Sequence, residues 1–293
     1  MLKSRGWLAL ALLAAVTACV WLRGCATRPA ELNVTFLDVG EGMCCVARTP
    51  SGKIIVIDCG TSTWRKSETV GEKLVAPYLQ SIGAGAIDVA VLTHPHADHV
   101  SGYAGLLRSM PAKLVLDIGA RHASPYYVKF LDAVKDCGAS YRRAKRGQSL
   151  DMGDGVMLYV LSPDPAVTYH DLNNRSLVLR VVFKNVAFLL AADAQADAER
   201  HILASGDDVR AEVLQVGHHG SRLGTTPEWL ARVRPQVAVI SCGRHNAYGH
   251  PSREVTDRLR STGVRYYRTD RDGAVSFTTD GTEIRVRTYR RRL

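Results

Sequence analysis

Thr93-His94-Pro95-His96-Ala97-Asp98-His99 places three imidazoles and a carboxylate within six residues. The stretch follows residues 87–92, Ile-Asp-Val-Ala-Val-Leu, which read as a buried strand. Side chains two apart on an extended backbone point the same way, so His94 and His96 can grip one cation. Once the chain turns, Asp98 and His99 can face a second. Imidazole nitrogen and carboxylate oxygen are the ligand set of zinc, manganese or iron. A polar loop with chance histidines accounts poorly for this density, and a metal site built here needs further ligands from elsewhere in the chain.

Those ligands are sought at strand ends. Strand patterns fall at residues 32–39, 43–48, 53–57, 87–92, 113–118, 155–161, 176–183, 186–191, 212–216, 237–241, 264–267, 274–278 and 284–288. Helical patterns fall at 68–81, 100–110, 125–136 (with Val128, Leu131 and Val134 at helical spacing), 194–204 and 227–233, and from an N-capping Ser252 with Val255 and Leu259 inward. Strand-rich blocks interspersed with helices predict two sheets packed face to face with helices outside. Asp58, the histidine stretch, Asp193, the His218–His219 pair and His250 all come just after predicted strands. At one sheet edge they would converge.

The 293-residue chain carries 38 Lys and Arg against 28 Asp and Glu, a net charge of +10. That balance favours a polyanionic partner, nucleic acid or an acidic membrane surface. Arg142, Arg143, Lys145 and Arg146 form one cluster, either a phosphate-gripping groove or a solvated loop, and residues 290–292 are all arginine. Lys3 and Arg5 precede an apolar run at residues 7–16, the pattern of an export signal. Val16-Thr17-Ala18-Cys19 resembles a bacterial lipobox, with Cys19 the lipidated residue. Val20-Trp21-Leu22 prolong the run, so residues 6–22 approach the shortest membrane span; an uncleaved anchor and ordinary cleavage are the alternatives. All three carry the body out of the cytoplasm, and the first two tether it to the membrane, in the periplasm or at the cell surface. Residues 1–31 are leader or anchor plus tether, and residues 32–293 the folded domain. Nothing past Leu22 reads as a bilayer span. The six cysteines after Cys19 lack C-x-x-C spacing, which argues against a thiolate zinc site; an oxidising compartment permits disulfides among them, and free buried thiols are the expectation. Adjacent Cys44 and Cys45 point to opposite faces of a strand, so at most one is expected in the core.

The histidine stretch, Asp193, Val216-Gly217-His218-His219-Gly220-Ser221 and Tyr248-Gly249-His250-Pro251 together resemble the metallo-β-lactamase superfamily. More narrowly, the chain is similar to the C-terminal hydrolase domain of ComEC-type competence proteins, a DNA-uptake family. Phe36 to Gly42, Thr49 to Lys53, Asn173 to Arg180, and Tyr267 to Asp270 with Asp272-Gly273 support this. The resemblance implies an αββα four-layer sandwich in one domain and two divalent metal ions, zinc or manganese. It assigns His94 and His96 to the first ion, Asp98 and His99 to the second, Asp193 as a bridge and His250 as the terminal ligand. Asp58 would orient a ligand imidazole. His170 is a ligand candidate on the loop before Ser176, although the match itself runs through Asn173-Asn174. Asp98, His219 and His218 are the catalytic candidates, His219 first and His218 in its place for protonating the leaving oxygen. Asn174, Ser221, Arg142, Arg143, Lys145 and Arg146 are the substrate-binding candidates. Departures from the family pattern are Glu41-Gly42-Met43, Asp58-Cys59-Gly60 and Ala191-Ala192-Asp193, where Gln-Gly-Asp, Asp-Gly-Gly and Thr-Gly-Asp are usual.

The expected function is an exported metal-dependent nuclease or phosphodiesterase acting on DNA. Its chemistry would be attack by a hydroxide bridging two cations about 3.5–4 Å apart. A small-molecule hydrolase (lactam, lactone or ester) and a non-catalytic DNA-binding module are the alternatives. Competence proteins of this kind carry a membrane channel, and this sequence reads as the hydrolase module without it.

Overall fold

Apolar runs too long for one-sided strands become strands covered on both faces in the computed structural model, which describes residues 30–62 and 67–290. The leader, with Cys19 and its lipobox, and residues 291–293 lie outside the described residues. The first sheet opens with an antiparallel meander of β1 (Leu32–Phe36), β2 (Cys45–Arg48) and β3 (Ile54–Ile57). Parallel strands β4 (Ile87–Leu92), β5 (Ala112–Asp117) and β6 (Ser140–Arg143) extend it. Their crossovers hold α1 (Ala76–Ser81), α2 (Ala97–Val100), α3 (Tyr103–Ser109) and α4 (Pro125–Asp136).

In the second sheet β7 (Ser149–Asp151), β8 (Val156–Ser162), β9 (Val178–Phe183) and β10 (Val186–Leu190) run antiparallel. Parallel strands β11 (Val213–Gln215), β12 (Val237–Ile240) and β13 (Arg265–Arg268) follow, with α5 (Ala196–Ala204), α6 (Pro227–Val233) and α7 (Arg253–Ser261) between them. One turn, α8 (Thr269–Asp272), returns the chain to β14 (Ala274–Thr279) and β15 (Ile284–Tyr289), and β14 pairs with β1. The strand orders are β15-β14-β1-β2-β3-β4-β5-β6 and β13-β12-β11-β10-β9-β8-β7.

Residue alternation sorts the core into layers. Ile55, Ile57, Val89 and Val91 meet Leu158, Leu179, Val181 and Phe188 between the sheets. Ile54, Val56, Ala90 and Leu92 face the helices of the first half, among them Tyr103 and Phe130. Trp229, Leu230, Val255 and Leu259 cover the second sheet. The result is the expected αββα sandwich, a single domain.

Four expectations change. Cys44 and Cys45 are both fully buried, because the first sheet is covered on both faces here: Cys45 lies between the sheets and Cys44 under the helices. Both thiols are free, as are Cys59, Cys137 and Cys242. The helix at 68–81 is broken into a 3-10 turn (Ser67–Thr69), a π turn (Gly71–Val75) and α1, with a proline in the first turn of α1. Gly71 abuts the backbone of Gly102, which forces the irregular start. Helix α4 turns Tyr127, Phe130 and Val134 inward and leaves Val128 and Leu131 exposed, since the two aromatic rings bury more area. The basic cluster begins in the short edge strand β6, whose side chains are all exposed, and β7 follows it as a three-residue edge strand.

Candidate metal centre

The strands that carry polar residues at their ends finish on one edge of the sandwich. Asp58 follows β3, the histidine stretch follows β4, Asp193 follows β10, His218 and His219 follow β11, and His250 lies on the loop after β12. His94 Nε2 lies 3.0 Å from His96 Nδ1 and 3.8 Å from Asp193 Oδ2. His218 Nε2 is 3.7 Å from the same Asp193 Oδ2. The other carboxylate oxygen, Oδ1, is 3.1 Å from His99 Nε2 and 3.6 Å from His219 Nε2. Asp98 Oδ2 closes that second group, 3.1 Å from His219 Nε2 and 3.8 Å from His99 Nε2. Asp193 therefore divides six ligand-type side chains into two sets, one at each of its oxygens.

Hydrogen bonds behind the rings fix which nitrogen faces the centre. His219 Nδ1 donates to the Ser241 carbonyl at 2.8 Å, which leaves its Nε2 lone pair toward the carboxylates. His99 Nδ1 meets Asp58 Oδ2 at 2.7 Å, and Asp58 also accepts the Thr93 N–H and hydroxyl at 2.8 Å each. The Thr93 hydroxyl has spent its proton on Asp58, so it accepts from His94 Nδ1 at 3.1 Å. The Gln195 amide bridges Asp171 and His218 Nδ1 at 3.2 Å each. His218 and His219 are consecutive residues in the left-handed region, φ 49° and 54°. That conformation is strained for non-glycine residues. Here it sends neighbouring imidazoles to opposite oxygens of Asp193.

Electrostatics follow from burial and from this crossed pairing. Burial alone would raise Asp193, but His99 and His219 hold it well below the carboxylate range. Burial opposes charge on His99 and on His219 as well; Asp193 with Asp58 and Asp98 lifts His99 well up, and Asp193 with Asp98 lifts His219 to about 9. His94 is lowered, by burial and by the neighbouring His99. Burial raises Asp58, partly offset by His99.

The donor set fits divalent cations. His99 Nε2 and Asp193 Oδ1, 3.1 Å apart, are buried atoms with no hydrogen-bond partner. Asp98, His99, Asp193 and His219 each offer one ligand atom, all within 4.8 Å of one another.

His250 lies beside this cluster, its ring 5.6 Å from that of His218 and stacked 6.4 Å from that of His219. Its Nδ1 lies 3.7 Å from Glu41 Oε1, and the other Glu41 oxygen accepts the Gly243 N–H at 2.7 Å. His170 is exposed on the loop before β9, outside both sets. That loop reaches the centre through Asp171 and Asn174 instead. The Asn174 side-chain oxygen accepts the N–H groups of Gln195 and Ala198 and so anchors the start of α5. Ser221 is buried, its Oγ accepting the Leu223 N–H. Arg142, Arg143 and Lys145 are exposed, whereas Arg146 is ion-paired to Asp207 and Asp164 at 2.7 and 3.1 Å. Three neighbours of the centre were not among the sequence candidates: Glu41, Gln195 and His122, whose ring lies 6.0 Å from that of His96. His122 follows β5, so the strand-end rule that singled out the other histidines applies to it as well.

Two helix-flanked sheets with a histidine–carboxylate cluster at their shared edge are the architecture of a metal-dependent hydrolase. The family model of the metallo-beta-lactamase superfamily matches residues 37–245, and the chain belongs to that superfamily. It is 30% identical over 260 residues to ComE operon protein 3 of Bacillus subtilis, covering 84% of this chain and 33% of that protein. It is 30% identical over 248 residues to competence protein ComA of Neisseria gonorrhoeae, covering 84% of this chain and 32% of that one. Both are ComEC-type competence proteins, and the chain spans about a third of their length. Among solved structures, the metallo-beta-lactamase fold protein YhfI from Bacillus subtilis aligns with a TM-score of 0.57 at 11% identity, over 85% of this chain and all (100%) of that one, a likeness of fold.

Proposed function

We propose that the protein is an exported phosphodiesterase that degrades DNA with two divalent cations, zinc or manganese. His94, His96 and His218 with Asp193 Oδ2 would hold one ion; Asp98, His99 and His219 with Asp193 Oδ1 would hold the other. The division of ligand atoms between the two oxygens of Asp193 is the observation that carries this reading. Bound ions of this kind lower the pKa of a coordinated water and offset charge on the attacked phosphorus centre. The chain's own residues supply the rest. Asp58 and Ser241 hold the rings of His99 and His219 in the orientation that presents Nε2. His218 and His219 both face Asp193, so delivery of a proton to the leaving oxygen falls to His250, whose Nδ1 lies 3.7 Å from Glu41 Oε1. The net charge of +10 and the relatives' competence names support DNA as the substrate.

The test is turnover of labelled DNA by metal-loaded protein. Cleavage is expected, and both a chelator and His96→Ala should abolish it. Hydrolysis of a chromogenic lactam with no turnover of DNA or RNA would sink the nuclease reading. Export and tethering rest on residues 1–31, and deleting those residues should move the protein from the membrane fraction to the soluble one.

A further inference from the structure

An open cleft of ≈ 430 Å³ lies where the loop after β5, helix α4 and strand β6 meet, and the chemistry above makes no use of it. Three cations line it, Arg121, Lys135 and Arg143, all exposed. None of their side chains makes a salt bridge or hydrogen bond among the described residues, in contrast to the Arg146 side chain in the same basic run. The wall of the cleft is rigid: the Tyr127 and Tyr141 hydroxyls both donate to the buried Asp117, at 2.6 and 2.8 Å. Tyr141 is held in this way with 40% of its surface exposed. Gly119 lets Arg143 lie across the loop, since a Cβ there would meet Arg143 Nε at 2.5 Å, and its φ is +62°. The same loop continues to His122, whose ring is 6.0 Å from that of His96. One short segment therefore forms a wall of the cleft and a neighbour of the candidate ligands.

We infer that this cleft is a subsite for a nucleotide flanking the scissile bond of a single-stranded nucleic acid. Arg121, Lys135 and Arg143 take its phosphate oxygens, and the fixed Tyr141 ring stacks on its base. Guanidinium forks match phosphate oxygens in pairs. A base on an aromatic face is held without regard to its identity, as a degradative enzyme requires. The substrate class rests on the phosphodiesterase reading, but the binding chemistry is independent of it.

Binding without turnover separates the two. A fluorescein-labelled single-stranded oligonucleotide is titrated with the full-length protein in chelator, and anisotropy is followed across a salt series. Arg121→Ala with Arg143→Ala should weaken binding by on the order of tenfold or more at low salt. It should also flatten the slope of log K against log salt by roughly 0.7, the contribution of the one phosphate that is no longer neutralised. Tyr141→Ala should weaken binding with the slope unchanged, and Tyr141→Phe, which keeps the ring but loses its bond to Asp117, should lose less. Lys129→Ala, on α4 outside the cleft, should bind as wild type. Wild-type affinity and slope in the arginine double variant would overturn the inference, and so would equal losses in Tyr141→Ala and Tyr141→Phe. If the wild type cleaves no phosphodiester while the variants still lose binding, the nuclease reading falls and the subsite stands.

Discussion

Asp58 is fully buried and carries three hydrogen bonds, two from Thr93 and one from His99. It also sits at φ 58°, a left-handed position that Asn tolerates and Ala does not. Asp58→Asn should therefore fold well but orient His99 poorly, with metal affinity reduced about 10–100-fold in a chelator competition. Asp58→Ala leaves His99 without its buried partner and should cost about 3 kcal/mol or more in denaturant unfolding. Similar metal affinity in wild type and Asp58→Asn would show that the carboxylate does not act on the centre. His219 supports a second expectation at this scale. Its folded pKa is raised to about 9, above the ordinary value near 6.5. In the metal-free protein that proton stabilises the fold fully below about pH 6.5, and the contribution is lost as pH rises through about 9. A cation competes for the same Nε2, so metal uptake should tighten with pH across that window and release protons. Proton release on zinc addition in weak buffer should be smaller in His219→Gln; an identical count would exclude His219 as a ligand.

Among the elements, the loops before β2 and after β3 are both tied to α2 by backbone. Cys59 N donates to His99 O at 2.9 Å and Met43 N to Asp98 O at 3.0 Å. Gly60 lies so close that a Cβ would sit 2.4 Å from Asp98 C and His99 N. Gly60→Ala should push Asp98 and His99 out of place, reducing bound metal and activity sharply at a stability cost of about 1–3 kcal/mol. Gly85→Ala, with no atom within 4 Å of its Cβ, is the matched control. Full metal content in Gly60→Ala would show that the loop has room to give. The contrast also indicates what was legible beforehand. His94 to His99 could be read because density and period-two spacing are local properties, and β3 and β4 because continuous apolar runs mark doubly covered strands. Strands β6 and β7 left no such pattern, being exposed edges. The inward face of α4 was misjudged from aliphatic spacing because burial of Tyr127 and Phe130 decides it. The roles of His218 and His219 hang on two left-handed backbone residues, and no side-chain pattern encodes those.

At the scale of the molecule, the centre joins the two halves of the sandwich. Asp58 and His94 to His99 come from loops of the first sheet, and Asp193, His218 and His219 from loops of the second. Glu41 makes a parallel tie, reaching from the first sheet to the Gly243 N–H beyond β12. Ions held between the halves bind only the assembled fold, so they must stabilise it by mass action. At a free concentration 100 times the dissociation constant, one ion contributes about 2.7 kcal/mol. In a domain of this size that corresponds to roughly 5–10 °C in melting temperature. Chelation should lower the transition by about that amount per ion lost. In the proposed two-ion arrangement both positions share Asp193, so Asp193→Asn should erase nearly the whole metal-dependent shift. His96→Ala should erase only the part due to the ion at Oδ2. Calorimetric melts of the three proteins with zinc, with manganese and with chelator decide the matter. Equal shifts in Asp193→Asn and wild type would mean that the carboxylate does not bridge, and the two-ion arrangement would have to be abandoned.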